Sequence, residues 1–235
     1  MRSENLTTEQ VLNVFTEEVA ARGGRVSDTF NDGRRLFARS ILPSLEEVRP
    51  GDRLQGGVAI KATEEEISLY PYIFRLVCRN GAITAEAIGA TIIEDLRLLD
   101  PHTTIQSIRE GIEICLAREV FSENVQKMRK TTQSEADLVL NLLPFFSRNS
   151  PLASTDVLRR IMDRFFAEKD QSQFALANAV TSVARDTRDP ETRWNLEELG
   201  GGLLIAAPTR LPRDGARAAG VKRIDRPRRK AVSVA

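Results

Sequence analysis

Few residues of this chain have the types and spacing that catalysis or metal binding requires. The single histidine, His102, follows Pro101 at the predicted start of a helix, and no second histidine or nearby cysteine offers metal-ligand spacing. The acidic run at residues 64–66 could hold a divalent cation, but a solvated turn between strands is the better interpretation. Phosphate-binding glycine loops and nucleophile motifs are absent from the sequence. We therefore predict no catalytic residue, no metal site and no cofactor.

The cysteines and the apolar residues predict a cytoplasmic protein without a membrane partner. Cys78 and Cys115 fall in different kinds of predicted element, which favours two reduced, buried thiols over a disulfide. No apolar run approaches the ~20 residues of a membrane span. The first ten residues also lack the apolar segment of a secretory signal.

Four basic residues could form a nucleic-acid-binding strip on a predicted sheet. They are Arg39, Lys61, Arg75 and Arg79, which alternate with apolar and aromatic residues along three segments. Side chains of a strand point alternately to its two faces, so aligned strands could bring these cations together. Positive charge interleaved with aromatic rings is typical of surfaces that bind single-stranded nucleic acid. The alternative is a solvated sheet face whose charges pair across strands.

A second group of candidate contacts lies near the C-terminus. Residues 210–235 hold nine of the 34 basic and two of the 33 acidic residues, so this tail carries a net charge of +7 and the remainder carries −6. Such asymmetry predicts a polyanionic partner, single-stranded DNA or RNA, or else a tail that folds onto its own acidic body. The densest charges are Lys222, Arg223, Arg226, Arg228, Arg229 and Lys230.

The elements that must position these residues begin with a sheet over residues 25–94. Its clearest signal is Asn80-Gly81, which is typical of a type I′ turn between two paired strands. With that turn, Arg75 lies directly opposite Glu86, and the opposite charges favour the same register. Residues 45–52, which include a proline, are predicted to be a connector.

After residue 99 the apolar spacing becomes helical. The first pattern predicts one long helix that reaches about residue 130, and about five helices occupy residues 100–202. We predict an α+β fold in which an antiparallel meander of about five strands packs against these helices. The predicted organisation is an N-terminal helix in residues 1–24, a single α+β domain in residues 25–205, and a basic disordered tail in residues 206–235.

Part of the sheet resembles a prokaryotic family related to phages and plasmids, the domain of unknown function numbered nine-three-two. Its members carry a strand that ends in a pattern matched here by Phe74-Arg75-Leu76-Val77-Cys78 and Asn80-Gly81. Segments 176–186 and 193–201, the second of which holds the tryptophan, also look similar, and the resemblance covers residues 25–202. It implies a phage or mobile-element context and transfers no catalytic residue.

These observations rank three hypotheses. The first is a non-enzymatic nucleic-acid-binding accessory protein of a phage or mobile element, which binds single-stranded DNA or RNA in replication or recombination. The second is a structural or assembly protein that forms homo-oligomers through sheet edges or helices. The third is an enzyme of unrecognised type.

Overall fold

The computed structural model describes residues 6–146, 152, 154–205 and 222–224, and these residues form the predicted α+β fold. The helices are α1 Thr8–Ala21, α2 Pro101–Leu116, α3 Arg118–Thr131, α4 Leu138–Leu142, α5 Thr155–Ala167, α6 Gln173–Arg185 and α7 Pro190–Ile205. The strands are β1 Arg25–Asn31, β2 Leu36–Ile41, β3 Leu45–Arg49, β4 Asp52–Ala62, β5 Ile67–Arg75, β6 Asn80–Ile83, β7 Thr91–Ile93 and β8 Lys222–Ile224.

The strands form one sheet in the order β1-β2-β4-β5-β7-β8. β3 pairs with β4 beyond the end of β2, and β6 pairs with β5 beyond the end of β7. All of these pairs are antiparallel except β7 with β8. β3 occupies most of the segment predicted to be a connector, so that prediction is wrong. β4 is the longest strand and bonds β2, β3 and β5, which makes it the centre of the sheet.

The hairpin between β5 and β6 exists, but its predicted register is wrong. Arg75 pairs with Asn80, not with Glu86, and the turn lies before the Asn-Gly pair, where Arg79 takes a positive φ of 50°. Asn80 is buried, and its side-chain nitrogen donates a hydrogen bond of 2.6 Å to Thr181 on α6. This tertiary contact holds Asn80 inside the strand, so local turn preference does not decide the register.

Helices cover both faces of the sheet. α1 and α2 pack on one face around Phe15, Val58 and Ile112, so α1 shares a core with the strands that follow it. α7 covers the other face, where Trp194 contacts Phe37. The remaining helices bury a further core against the ends of β4 and β5.

The long helix predicted after residue 99 is broken in the structure. Ala117 has φ −55° and ψ 132°, which ends α2 and starts α3 in a new direction. The apolar spacing of the two helices is nearly continuous, so the break leaves no signal in the periodicity. The change of direction opens a space between the two helices and the sheet.

The tail prediction falls mostly outside the described residues. Only residues 222–224 of segment 206–235 are described, and they form β8, parallel to β7 at the sheet edge. These three residues are hydrogen-bonded to the sheet, while the prediction of disorder for the tail stays a prediction. Among the described residues, no helix has the length and apolar character needed to span a bilayer.

Candidate functional site

The predicted basic strip does not exist as an exposed surface, because Arg39 is buried. Its side chain is 2% exposed, and it forms ion pairs with Glu197 on α7 and with Asp28 on β1. Its guanidinium also lies over the Trp194 ring, 5.3 Å from the ring centroid. Burial raises the pKa of Glu197, and Arg39 and Arg193 oppose that rise. Arg39 is therefore neutralised inside the protein and cannot contact nucleic acid.

Lys61 lies on the same sheet face as Arg39, and it also contacts other side chains there. Its Nζ is 3.6 Å from a carboxylate oxygen of Glu191 and 5.5 Å from the centroid of the Phe37 ring. The side chain is partly exposed, so some positive charge reaches solvent on this face. The acidic residues of α7 reduce that charge at close range.

Arg75 lies on the opposite sheet face, since it pairs with Leu54 while Lys61 pairs with Ser68 in the same ladder. Its guanidinium donates two hydrogen bonds of 2.6 Å to Asp52 and lies 5.2 Å from the centroid of the Phe174 ring. A bidentate pair of this kind fixes both side chains in place, so few N–H groups of the guanidinium remain to bind a ligand. Only Arg79, exposed in the β5–β6 turn, matches the expectation of an accessible cation.

Removal of the Asp52 carboxylate tests this structural role of Arg75. We expect Asp52→Asn to lower the free energy of unfolding by about 2 kcal/mol, because a half-buried guanidinium loses charged hydrogen bonds. The control is Asp156→Asn, whose partner Arg159 is 70% exposed, with an expected loss below about 1 kcal/mol. Urea unfolding of both variants measures the difference, and equal losses would contradict the structural role.

The tail candidates lie mainly outside the described residues. Lys222 and Arg223 belong to β8, opposite Thr91 and Ile92 of β7. Arg226, Arg228, Arg229 and Lys230 lie outside the described residues. The structure therefore places part of the basic tail at one edge of the sheet, far in sequence from the strand to which it is bonded.

The groups considered for catalysis remain separate. His102 is exposed in the first turn of α2, which Asp100 caps. Both cysteines are free, and burial raises the pKa of the Cys115 thiol, which disfavours its thiolate. Within the described ranges, no group of three or more histidine, cysteine, aspartate or glutamate residues could hold a metal ion.

A cavity lies between the sheet and the α2–α3 joint. Its volume is about 420 Å³, within the usual range for ligand pockets. Gly56 of β4 and Ile73 of β5 form the sheet side, and Leu116 and Phe121 form the helix side. The wall is largely apolar, with a few polar side chains at its rim and base.

The polar groups of this cavity include Glu46, Arg118 and Asn124. Glu46 accepts a hydrogen bond of 2.6 Å from Ser122 and lies 3.5 Å from Arg129, so its charge is largely compensated. Arg118 is exposed at the start of α3 and makes no ion pair within the described ranges. Asn124 is 2% exposed at the base of the cavity.

Sequence reasoning missed this cavity because its residues come from four separate segments, 42–46, 56–57, 71–73 and 115–124. The one available signal was the Gly56-Gly57 pair, since glycine inside a strand indicates close approach of other groups. A β-carbon on Gly56 would lie 3.0 Å from the Phe121 ring. The aromatic ring can therefore approach the strand only because this position has no side chain.

No family model, curated protein or solved structure matches this chain significantly. The resemblance to the phage- and plasmid-related family stays a prediction based on its motifs.

Proposed function

We propose that the protein binds single-stranded nucleic acid and does not act on it chemically. The observation that carries this proposal is the separation of charge, with +7 in residues 210–235 and −6 in the rest of the chain. When a cationic segment neutralises phosphates, condensed counterions are released from the nucleic acid. Their release supplies affinity that does not depend on the nucleotide sequence. The phage or mobile-element context, and a role in replication or recombination in the cytoplasm, belong to the same proposal.

Two structural observations favour the basic tail over the sheet face as the surface that binds nucleic acid. Arg39 and Arg75 are neutralised by Glu197 and Asp52, so the sheet offers little free charge. β8 holds the start of the densest basic run against the sheet edge. A nucleic-acid strand bound at the start of this run would therefore lie next to the folded body.

Neutralisation of the tail tests the proposal while it preserves the length of the chain. The variant replaces six of the nine tail cations by glutamine: Lys222, Arg223, Arg226, Arg228, Arg229 and Lys230. We expect at least a tenfold decrease in affinity for a fluorescent single-stranded DNA in anisotropy titrations at low salt. The slope of log K against log salt should flatten by about 0.7 for each phosphate that the tail no longer neutralises.

A matched control removes surface charge from the body. Arg159→Gln together with Arg160→Gln changes two cations of α5 and should leave both the affinity and the salt slope nearly unchanged. The proposal fails if the full chain binds neither single-stranded DNA nor RNA at about 50 mM salt, where electrostatic binding is strong.

A second candidate function is self-association, which one observation favours. Val139 is 76% exposed and Leu143 is 47% exposed, four positions apart in a helical segment. Exposed apolar pairs of this kind can contribute to an interface between copies. Light scattering of the full chain, with and without single-stranded DNA, separates the two functions: a fixed oligomer without DNA binding supports assembly.

A further inference from the structure

The cavity at the α2–α3 joint suits a flat ring that carries an anionic group. We propose that it holds one base of a single-stranded nucleic acid, with the phosphate of that nucleotide at Arg118. The assignment depends on the nucleic-acid function proposed above and adds to it the place where a base is bound. A base paired in a duplex could enter the cavity only after leaving the stack, which favours single strands.

The apolar part of the cavity matches the faces of a base. The Phe121 ring is half-buried and lies against Gly56, whose missing side chain lets the ring approach the strand. Leu116 and Ile73 complete the apolar wall. Stacking of a base on an aromatic ring contributes roughly tenfold or more to affinity and tolerates any base, because every base has a flat π-face.

The polar part of the cavity matches the edge of a base. Asn124 donates a hydrogen bond of 3.4 Å to Thr84, while its carbonyl oxygen accepts none within the described ranges. The Glu46 carboxylate keeps lone pairs beyond those used by Ser122 and Arg129. Amide and carboxylate oxygens accept hydrogen bonds from the exocyclic amino groups of adenine and cytosine. The cavity should therefore prefer these two bases to thymine.

The charge at the mouth matches a phosphate. Arg118 is exposed and unpaired in the described part of the chain, and it is the first residue of α3. The N-cap of α3, Ala117, supplies no side-chain hydrogen bond, so the backbone N–H groups of Arg118 and Glu119 remain available to an anion, while that of Val120 donates to the Ala117 carbonyl. Glu119 follows Arg118, so these two residues at the opening of the cavity carry no net positive charge. The long-range attraction of the nucleic acid must therefore come from the basic tail.

The test compares strands with and without bases on the full chain. Anisotropy titrations use a deoxyadenosine homopolymer and the same strand with abasic sugars, at one salt concentration. We expect the intact protein to bind the abasic strand about tenfold more weakly. Phe121→Leu, which keeps apolar bulk against Gly56, should bind both strands with the weaker affinity, and so should Phe121→Ala. Arg118→Ala should weaken the binding of both strands by a similar factor.

The controls are residues of the same types that do not line the cavity. Phe166→Ala removes a ring that is 57% exposed on α5, and Arg159→Ala removes an exposed cation on the same helix. Both should retain the preference for the strand with bases. Circular dichroism and thermal unfolding establish that each variant is folded.

The outcomes separate this inference from the function on which it rests. If the intact protein binds both strands equally, or if Phe121→Leu retains the base preference, the pocket assignment is wrong while nucleic-acid binding stands. If neither strand binds, both fall. If adenosine monophosphate binds to the intact chain and neither strand does, the cavity is a mononucleotide site and the assignment to a strand is wrong.

Discussion

Glu197→Gln is expected to lower the free energy of unfolding by about 3 kcal/mol, measured by urea denaturation at neutral pH. Its carboxylate accepts hydrogen bonds from Arg39 and, at 3.1 Å, from Arg193. Glu197 and Arg39 are each 2% exposed. Loss of one partner of a buried pair leaves the other charge uncompensated, which costs about 3–5 kcal/mol. The lower figure applies because Asp28 still pairs with Arg39, at 3.2 Å.

The matched control is Glu191→Gln on the same helix. Glu191 also pairs with an arginine, Arg35, but both side chains are 43% exposed. Exposed ion pairs contribute about 0–1 kcal/mol, so this variant should unfold almost like the parent. The double replacement Arg39→Met with Glu197→Met should recover most of the stability, since it removes both buried charges. Equal losses for Glu197→Gln and Glu191→Gln would falsify the buried-pair interpretation.

Where local chemistry determines local structure, the sequence predicted it well. The spacing of Thr7 and Gln10 is typical of a capping box, and the two residues form one at the start of α1, with bonds of 3.2 and 2.8 Å. The loop at Asn31-Asp32-Gly33 has the residue types of a turn and forms one, in which Asp32 accepts hydrogen bonds from the backbone N–H groups of Arg34 and Arg35. These hydrogen bonds lower the pKa of Asp32, and the bond from the Arg35 backbone N–H has the largest effect.

Where a residue distant in sequence determines the local structure, the prediction from local sequence was wrong, as in the β5–β6 hairpin. Asn80-Gly81 has strong turn preference, yet Thr181 lies 101 positions away and holds Asn80 in β6. Gly81 also lies against Tyr72, and a β-carbon there would come within 1.8 Å of the tyrosine hydroxyl. The Asn-Gly pair therefore serves close packing inside the sheet. Neither contact leaves a signal that can be read within a window of about ten residues.

The candidate site was unpredictable for the same reason. Charge and strand alternation identified Arg39 and Arg75, but a basic residue in a strand does not reveal whether an acidic residue elsewhere in the chain will neutralise it. The cavity depends on the break at Ala117, which has neither proline nor glycine to mark it. Gly56-Gly57 was the only local indication of the cavity. It predicted that other groups approach this strand closely, but it did not identify those groups.

The second large effect is expected at Gly57, where the approaching group is backbone. A β-carbon there would lie 1.9 Å from the Ser40 carbonyl oxygen and 3.2 Å from the Ile41 Cα. β2 and β4 are bonded through neighbouring residues, so neither strand can move away without breaking ladder hydrogen bonds. Gly57→Ala should therefore lower the free energy of unfolding by about 3 kcal/mol, the upper end for overpacking.

The adjacent glycine provides the control for this prediction. A β-carbon on Gly56 would meet only the Phe121 side chain, at 3.0 Å, and a ring can tilt where a carbonyl in a ladder cannot. Alanine is also better than glycine in a strand by about 0.5–1 kcal/mol, which offsets part of the crowding. Gly56→Ala should thus cost under about 1 kcal/mol in urea unfolding. If both alanine variants unfold alike, intrinsic strand preference and not close backbone approach explains the two glycines.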